Sequence, residues 1–251
     1  MGLQPRKRVK PRGRYVWYEP YHYHRGVSLL YDVALTEPYK LTDREREMRK
    51  KAAQRRKARL DRDKRRKRGV ELIVKAVPTQ KVVFDVETTG LNPMKDEILQ
   101  FSAINEKGEV LLNTYIRPVF HERWPKAECI NGITPDMVAN APTFSEVWED
   151  IQAIFMSASE LVSYNGIFFN VRFLAAEGIA FPNVPHYDVM LEFAPIYGEW
   201  NDYHGDYKWQ KLTTCARYYG YTFKAHDSLE DVRATLYCYN RMQEEGKVSE
   251  N

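Results

Sequence analysis

A strand that ends in paired carboxylates constrains this chain more than any other stretch. Val82, Val83 and Phe84 are β-branched or aromatic and predict a buried strand. Asp85 and Glu87 follow, and side chains two residues apart on a strand point to the same face. Two carboxylates held that close raise each other's pKa unless a cation lies between them. The apolar lead-in and the turn that follows therefore favour a divalent metal site with oxygen ligands over a solvated surface strand.

Two later motifs contain further polar residues of the kind such a site needs. Asn165 belongs to Tyr164–Leu174, which follows a predicted strand and leads into a helix. Asp231 belongs to His226–Thr235, which leads into the last helix. Taken alone, His226 would be an ordinary loop histidine, although the pKa of histidine lies near neutral.

These three motifs, in this order, resemble those of the DnaQ-like 3′–5′ exonucleases of the DEDDh class, which have the ribonuclease H-like fold. The resemblance covers residues 81–243 and includes the connecting segments Gly132–Thr134 and Ala141–Phe144. It implies a metal-dependent nuclease domain and says nothing about the first 80 residues.

The resemblance also implies a role for each catalytic position. Asp85, Glu87 and Asp231 would be carboxylate ligands of two divalent ions, Mg²⁺ or Mn²⁺, which can activate a water and stabilise the leaving oxygen. His226 would be the general base that takes the proton from that water. The expected catalytic residues are therefore Asp85, Glu87, His226 and Asp231.

Three positions are expected to contact the substrate. By resemblance, the backbone amide of Thr88 would reach the terminal nucleotide and Leu91 would wedge against the terminal base. Ordinary roles in a turn and in the core are equally compatible with these two residues. Asn165, from the second motif, is the third expected substrate-binding residue.

One position departs from the pattern that the resemblance implies. The second motif normally carries an aspartate where this chain has Asn170, which would be the fourth metal ligand. An asparagine oxygen can coordinate a hard cation but brings no negative charge, so metal binding and activity are expected to be attenuated. Asn170 is either an engineered change that captures substrate without cutting it or a feature of an attenuated native protein.

The residue pattern predicts an α/β fold with a mixed five-stranded sheet flanked by helices, because a hairpin is followed by alternating strands and helices. The predicted domains are a basic N-terminal arm with a long helix, residues 1–79, and the exonuclease domain, residues 80–246. The strands are predicted at Val82–Glu87, Ile98–Ile104, Val110–Ile116, Leu161–Tyr164 and His186–Val189. The helices are predicted at Thr143–Met156, 170–178, Leu212–Tyr219 and from His226 to Met242.

Basic and acidic residues are unevenly distributed along the chain. Residues 1–80 hold 24 Lys/Arg and 9 Asp/Glu, a net charge of +15, whereas residues 81–251 hold 14 and 25, a net charge of −11. Residues 1–14 predict a disordered basic tail, and the aromatic segment 15–31 favours docking on a protein surface over stacking on a single strand. A basic arm of this kind suggests a polyanionic partner.

A long cationic helix is predicted within the arm. Thr42 and Glu45 form a capping box at its start, and Gly69 is expected to end it after Arg68. A short strand is expected within Val70–Val77. Since the helix has few apolar residues, its basic runs favour contact with a nucleic-acid backbone.

The composition restricts the remaining possibilities. Cys129, Cys215 and Cys238 show no metal-ligand spacing and are expected to be reduced core thiols of a cytoplasmic protein. No apolar run is long enough to predict a membrane span.

The sequence as a whole predicts a metal-dependent 3′–5′ exonuclease, with DNA favoured over RNA as the substrate. The alternatives are a degenerate nuclease fold that holds nucleic-acid ends and a subunit whose residues 1–69 dock into a larger complex. The polar, aromatic insertion between Phe193 and Lys208 is expected either to shape the substrate groove or to pack as a lid on the core.

Overall fold

The computed structural model describes the backbone of residues 3–5, 13–19, 24–30, 36–38 and 41–249. The chain divides into two compact units, Met1–Ala58 and Arg59–Asn251. The predicted domain boundary between residues 79 and 80 stays a prediction.

The first unit contains two antiparallel strand pairs. Strand β1 (Leu3–Pro5) pairs with β4 (Thr36–Pro38), and β2 (Gly13–Glu19) pairs with β3 (His24–Leu30). The prediction of disorder is therefore wrong at residues 3–5 and 13–14, and the rest of the segment 1–14 lies outside the described residues. The side chains of the aromatic segment 15–31 also lie outside them, apart from Ser28, so its docking or stacking stays a prediction.

Helix α1 (Asp43–Ile73) begins at the predicted capping box. The Thr42 N–H donates to Glu45 Oε2 at 2.8 Å, and the Glu45 N–H donates to Thr42 Oγ1 at 3.2 Å. The predicted stop at Gly69 and the strand within Val70–Val77 are wrong, because the helix continues to Ile73. Gly69 is buried, and a Cβ there would lie 2.8 Å from Gln152 Oε1, so this glycine allows close helix packing rather than ending the helix.

A five-stranded mixed sheet forms the centre of the second unit, as predicted. Its order is β7-β6-β5-β8-β9, with β5, β6 and β7 antiparallel and β8 and β9 parallel to β5. The strands are β5 (Gln80–Thr88), β6 (Ile98–Asn105), β7 (Val110–Tyr115), β8 (Ala158–Ser163) and β9 (His186–Asp188).

Helices cover the sheet. They are α2 (Pro125–Asn131), α3 (Pro135–Val138), α4 (Phe144–Met156), α5 (Val171–Ala176), α6 (Val189–Tyr197), α7 (Leu212–Tyr218) and α8 (Ser228–Ser249). One core cluster joins sheet residues such as Phe84 to α4 and α5, and a second joins Val83 to α6, α7 and α8. Consecutive residues of β5 therefore pack into different core clusters on opposite faces of the sheet. Because both faces of the strand are buried, its first residues form a continuous apolar run in the sequence.

Three smaller observations complete the architecture. The insertion after α6 forms a hairpin of β10 (Trp200–Asn201) and β11 (Asp206–Tyr207). Cys215 and Cys238 are buried free thiols, as predicted, whereas Cys129 is exposed. In the described part of the chain, no helix combines the length and the apolar character that crossing a membrane requires.

Candidate active site

The end of β5 and the start of α8 bring acidic side chains together. β8 pairs with β5 only as far as Val83, so the end of β5 extends beyond its parallel neighbour. Helix α8 packs against β5 and β6 and places Asp231 in its first turn. Ligand atoms of Glu87, His226 and Asp231 all lie within 4.8 Å of one another. The structure thus assembles residues from two motifs that lie about 140 positions apart in the sequence.

Burial and neighbouring carboxylates raise the pKa of each acidic residue in this cluster. The pKa of Asp85 lies well above its ordinary value because the group is desolvated and faces Asp231 and Glu87. Desolvation raises the pKa of Glu87 to about 7, against a hydrogen bond from Asn131 that lowers it and with Asp227 adding to the rise. Desolvation and the charge of Glu87 raise the pKa of Asp231 to about 7. Such a cluster is stable in its charged form only with a cation, so the donor set fits a divalent metal ion.

Asn170 lies in the same cluster, but its side chain contributes a hydrogen-bond donor and not a carboxylate. Its side chain is 2% exposed, and its Nδ2 donates to Asp85 Oδ1 at 3.0 Å. The amide therefore satisfies one oxygen of Asp85 where a carboxylate would add negative charge for a cation. A full set of four anionic ligands does not fit this chain, whereas a smaller set formed by Asp85, Glu87 and Asp231 does.

A single π-helical turn, Gly166–Asn170, places the Asn170 side chain within hydrogen-bonding distance of Asp85. It begins at Asn165, which has a positive φ of 54° and donates its N–H to Asp188 Oδ1 at 2.9 Å. The Ile167 N–H donates to Asp188 Oδ2 at 3.1 Å. A Cβ at Gly166 would lie 2.0 Å from Ser163 Oγ, so only glycine fits where the turn crosses the end of β8.

Asp188 is a residue of the site region that the sequence did not identify. It is 2% exposed at the end of β9, and its carboxylate also accepts the Met190 N–H at 3.2 Å as the N-cap of α6. A carboxylate within the predicted strand His186–Val189, just before an apolar segment, was the available signal, since Asp is a preferred N-cap. Its further role, fixing the π turn, depends on partners more than 20 residues away in the sequence.

His226 lies at the mouth of the site. Its side chain is exposed, its φ is 69°, and its backbone N–H donates to both oxygens of Asp231 at 3.3 Å. The following turn is anchored because the Ser228 N–H donates to Gln100 Oε1 at 3.4 Å and the Ser228 hydroxyl bonds to that of Ser102. The backbone thus orients the Asp231 carboxylate while the imidazole remains accessible to solvent.

The expected substrate-binding residues differ in their surroundings. Thr88 is 5% exposed and its hydroxyl donates to the Gly90 carbonyl at 2.6 Å, so its side chain stabilises the turn after β5. Leu91 is 82% exposed and no core cluster of the described residues includes it. Asn165 is half-buried at the start of the π turn.

A cavity of about 220 Å³ adjoins this cluster on the side of His226. It lies between the His226 loop and the segment that follows β7. Its lining includes Gln100, Tyr115, Cys129, Asn131, Lys224 and His226. The cavity therefore offers hydrogen-bonding groups, a cation and apolar atoms directly beside the carboxylates.

Comparison with known proteins agrees with this geometry. Residues 82–239 match the RNase_T family, described as exonucleases. The chain is 32% identical over 168 residues to the uncharacterized exonuclease CP81 of Escherichia phage 186, an alignment that covers 62% of this chain and 84% of that protein. It is 35% identical over 96 residues to DNA polymerase III subunit epsilon of Treponema pallidum, covering 38% of this chain and 44% of the subunit.

Solved structures show the same fold. The chain superposes on E. coli Exonuclease I in complex with a dT13 oligonucleotide with a TM-score of 0.55 and 22% identity. The superposition covers 66% of this chain and 41% of Exonuclease I. At this identity the likeness shows the fold alone, and it confirms the predicted architecture.

Proposed function

Since residues 82–239 make this chain a member of the RNase_T exonuclease family, we propose that it hydrolyses nucleic-acid phosphodiester bonds from 3′ ends with two divalent metal ions. The observation that carries the proposal is the convergence of Glu87, His226 and Asp231 within 4.8 Å, beside the desolvated carboxyl of Asp85. Clustered carboxylates with raised pKa values are typical of a site built to bind a cation.

Each residue has a defined role in this proposal. Asp85, Glu87 and Asp231 would hold the divalent ions, Mg²⁺ or Mn²⁺, which would supply activation of water and stabilisation of charge on the leaving oxygen. His226 acts as the general base, because its exposed imidazole can accept a proton at the mouth of the site and release it to solvent. The hydrogen bonds from the His226 N–H keep Asp231 in the orientation that the site requires.

The surroundings of the cluster support binding of a chain end. Leu91 projects into solvent after the turn that Thr88 stabilises, and the 220 Å³ cavity lies on the His226 side. We assign the cavity to the terminal nucleotide, Leu91 to contact with its base, and Asn165 to the strand as it passes the π turn. DNA is favoured over RNA because the similar proteins include a DNA polymerase subunit and a nuclease in complex with a dT13 oligonucleotide.

Asn170 attenuates the activity in this proposal. Its amide hydrogen bonds to Asp85 and supplies none of the negative charge that a hard cation prefers. That same observation favours a second candidate function, in which the fold binds nucleic-acid ends without cutting them. In either case, residues 1–69 contribute affinity for nucleic acid or for a partner complex.

The experiment that tests the proposal compares the chain with its Asn170→Asp variant. Both are incubated with 5′-labelled single- and double-stranded DNA and RNA, with Mg²⁺ or Mn²⁺ and with EDTA. We expect metal-dependent shortening from the 3′ end, and Asn170→Asp should raise its rate by orders of magnitude. Asp231→Asn is the matched control, because it makes the reverse change in the same cluster and should abolish the activity.

The outcomes separate the two candidate functions. A ladder that shortens from the 3′ end and disappears in Asp231→Asn supports the exonuclease. Equal rates for the chain and Asn170→Asp would show that Asn170 does not limit activity. Tight binding of ends without cleavage by either form would contradict the enzymatic proposal and support the end-binding function.

A further inference from the structure

Two aromatic rings form an exposed stack beside the candidate active site. The Phe168 and Trp209 ring centroids lie 5.2 Å apart, with 19° between the ring planes. Phe168 is 47% exposed and Trp209 is 54% exposed. The pair is therefore not a buried core contact.

The position of both rings is fixed relative to the catalytic carboxylates. Phe168 belongs to the π turn, two residues before Asn170, whose amide bonds to Asp85. Trp209 is held from the other side, because the Tyr164 hydroxyl donates to the carbonyl of the adjacent Gln210 at 2.8 Å. The backbone of the same π turn thus carries both a residue of the metal site and one ring of the stack.

Two exposed cations lie close to the rings in the sequence. Arg172 follows Phe168 by four residues, about one helical turn, and Lys211 follows Trp209 by two. Among the described residues, neither cation has a carboxylate within 4.0 Å, whereas the neighbouring Lys208 pairs with Glu199 at 2.7 Å. Aromatic faces next to unpaired cations match a ligand that combines flat apolar rings with phosphates, and an apolar protein surface would leave the cations unmatched.

We propose that Phe168 and Trp209 form a stacking platform for a base of a single-stranded nucleic acid, with Arg172 and Lys211 contacting the adjacent phosphates. This inference rests on the proposed nuclease function and adds the route by which a strand reaches the site. Stacking on an aromatic face is tolerant of sequence, because every base has a π face. The platform therefore predicts a preference for unpaired over duplex ends without a base preference.

The first test measures binding of a 5′-labelled single-stranded DNA by fluorescence anisotropy, with the full chain and with EDTA present so that hydrolysis does not intervene. Trp209→Leu and Phe168→Leu should each weaken binding about tenfold, the change that stacking of one base accounts for. Tyr203→Leu is the matched control. Tyr203 is a 90% exposed aromatic of the β10–β11 hairpin whose ring contacts only that of His204 among the described residues.

The second test moves a single abasic site stepwise from the 3′ end of the same oligonucleotide. For the unchanged chain, one position should weaken binding about tenfold, where the platform meets its base. Trp209→Leu should bind the intact and that abasic oligonucleotide equally, because the stacking partner is already absent. A merely structural role of Trp209 would weaken binding but leave the sensitivity to that abasic site in place.

The outcomes distinguish this proposal from the function on which it rests. If the chain neither binds nor degrades any nucleic acid, the proposed function fails. If it binds and degrades single strands but no abasic position matters, or if Tyr203→Leu weakens binding as much as Trp209→Leu, the platform is wrong while the nuclease function stands.

Discussion

Three carboxylates in one desolvated cluster give Asp85, Glu87 and Asp231 a shared dependence on pH. The pKa values of Glu87 and Asp231 rise to about 7, far above those of ordinary carboxyls, because burial and neighbouring carboxylates disfavour their charged forms. A carboxyl whose pKa is raised by folding contributes its full stability below its unfolded pKa and loses that contribution as pH rises through the folded value. The metal-free chain is therefore expected to lose stability at this cluster as pH rises from about 4, near the unfolded pKa of a carboxyl, to about 7, the folded pKa of Glu87 and Asp231.

The residue-scale prediction is that the melting temperature of the metal-free chain falls more steeply over this pH range than that of Asp231→Asn. The variant removes one titrating group and relieves the repulsion on Asp85. Mg²⁺ or Mn²⁺ at pH 8 should restore stability to the unchanged chain and much less to the variant. Thermal unfolding followed by circular dichroism measures both, and parallel pH profiles for the two proteins would contradict the argument.

The residues of this cluster were predictable individually, but their environment was not. Asp85 and Glu87 could be placed on one face from the strand period alone, and the end of β5 is where the structure has them. The hydrogen bond from Asn170 to Asp85 and the positive φ of His226 depend on tertiary contacts that no local pattern specifies. Asp188 was missed for the same reason, since its partners in the π turn lie 21 and 23 residues away.

At the scale of the element, helix α1 shows that a basic sequence alone does not identify which cations are free to contact nucleic acid. From Arg59 onwards the helix belongs to the second unit, and it packs there through residues spaced three and four apart: Arg62, Arg65, Gly69 and Leu72. Arg65 donates to Glu177 Oε2 at 2.9 Å and to the Glu177 carbonyl at 3.0 Å, and Arg62 also pairs with that carboxylate. Arg65, which belongs to the basic run Lys64–Arg68 that favours phosphate contact, therefore holds this part of the helix in place together with Arg62.

This packing also explains the wrong helix end. A glycine after a basic run usually indicates a C-terminal stop, but Gly69 lies against Gln152 and Ala180, where a larger residue would clash. Periodicity did not indicate a packed face because two of its positions are arginines. Strand β5 was predictable from its continuous run of buried apolar residues, and α4 because most of its buried positions are apolar and recur at helical spacing.

The element-scale prediction concerns Glu177→Gln. Glu177 and Arg65 keep side-chain exposures of only 12% and 14%, so removing the negative charge leaves two guanidinium groups near a buried neutral amide. We expect a loss of about 3 kcal/mol in the free energy of unfolding, the range for removing one partner of a buried ion pair. Glu149→Gln is the control, because its pair with Arg68 is exposed and should cost under about 1 kcal/mol. Urea unfolding measures both, and equal losses would show that the buried pair does not hold the helix.

At the scale of the whole molecule, the positive charge is concentrated in the N-terminal part of the sequence and the negative charge in the part that follows it. The net charge is +15 over residues 1–80 and −11 over residues 81–251. An acidic nuclease domain repels its polyanionic substrate at long range, so a basic arm would offset that repulsion and raise the association rate. The first half of α1 suits this role because its side chains are mostly exposed and, unlike Arg62 and Arg65, do not pair with Glu177.

The whole-molecule prediction is a change in the salt dependence of binding. One variant replaces four exposed cations of α1 by glutamine and leaves the pairs with Glu177 in place: Lys50, Lys51, Arg55 and Arg56. The affinity of the unchanged chain for a single strand should fall steeply with salt, and each phosphate contact that the substitutions remove should reduce the slope of log K against log salt by about 0.7. The matched control replaces four exposed cations outside both α1 and the proposed platform: Lys75, Lys107, Arg217 and Arg241.

Anisotropy titrations from low to high salt would measure these slopes, with EDTA present throughout. A reduced slope in the α1 variant and an unchanged slope in the control would place phosphate contacts on the exposed half of the helix. A shallow slope already in the unchanged chain would contradict nucleic-acid binding by the arm and favour its docking on a protein partner. Because the variant leaves Asp85, Glu87 and Asp231 intact, its rate of hydrolysis at saturating substrate should match that of the unchanged chain. The arm would then affect the association of the protein with nucleic acid, and the acidic cluster would affect the chemical step.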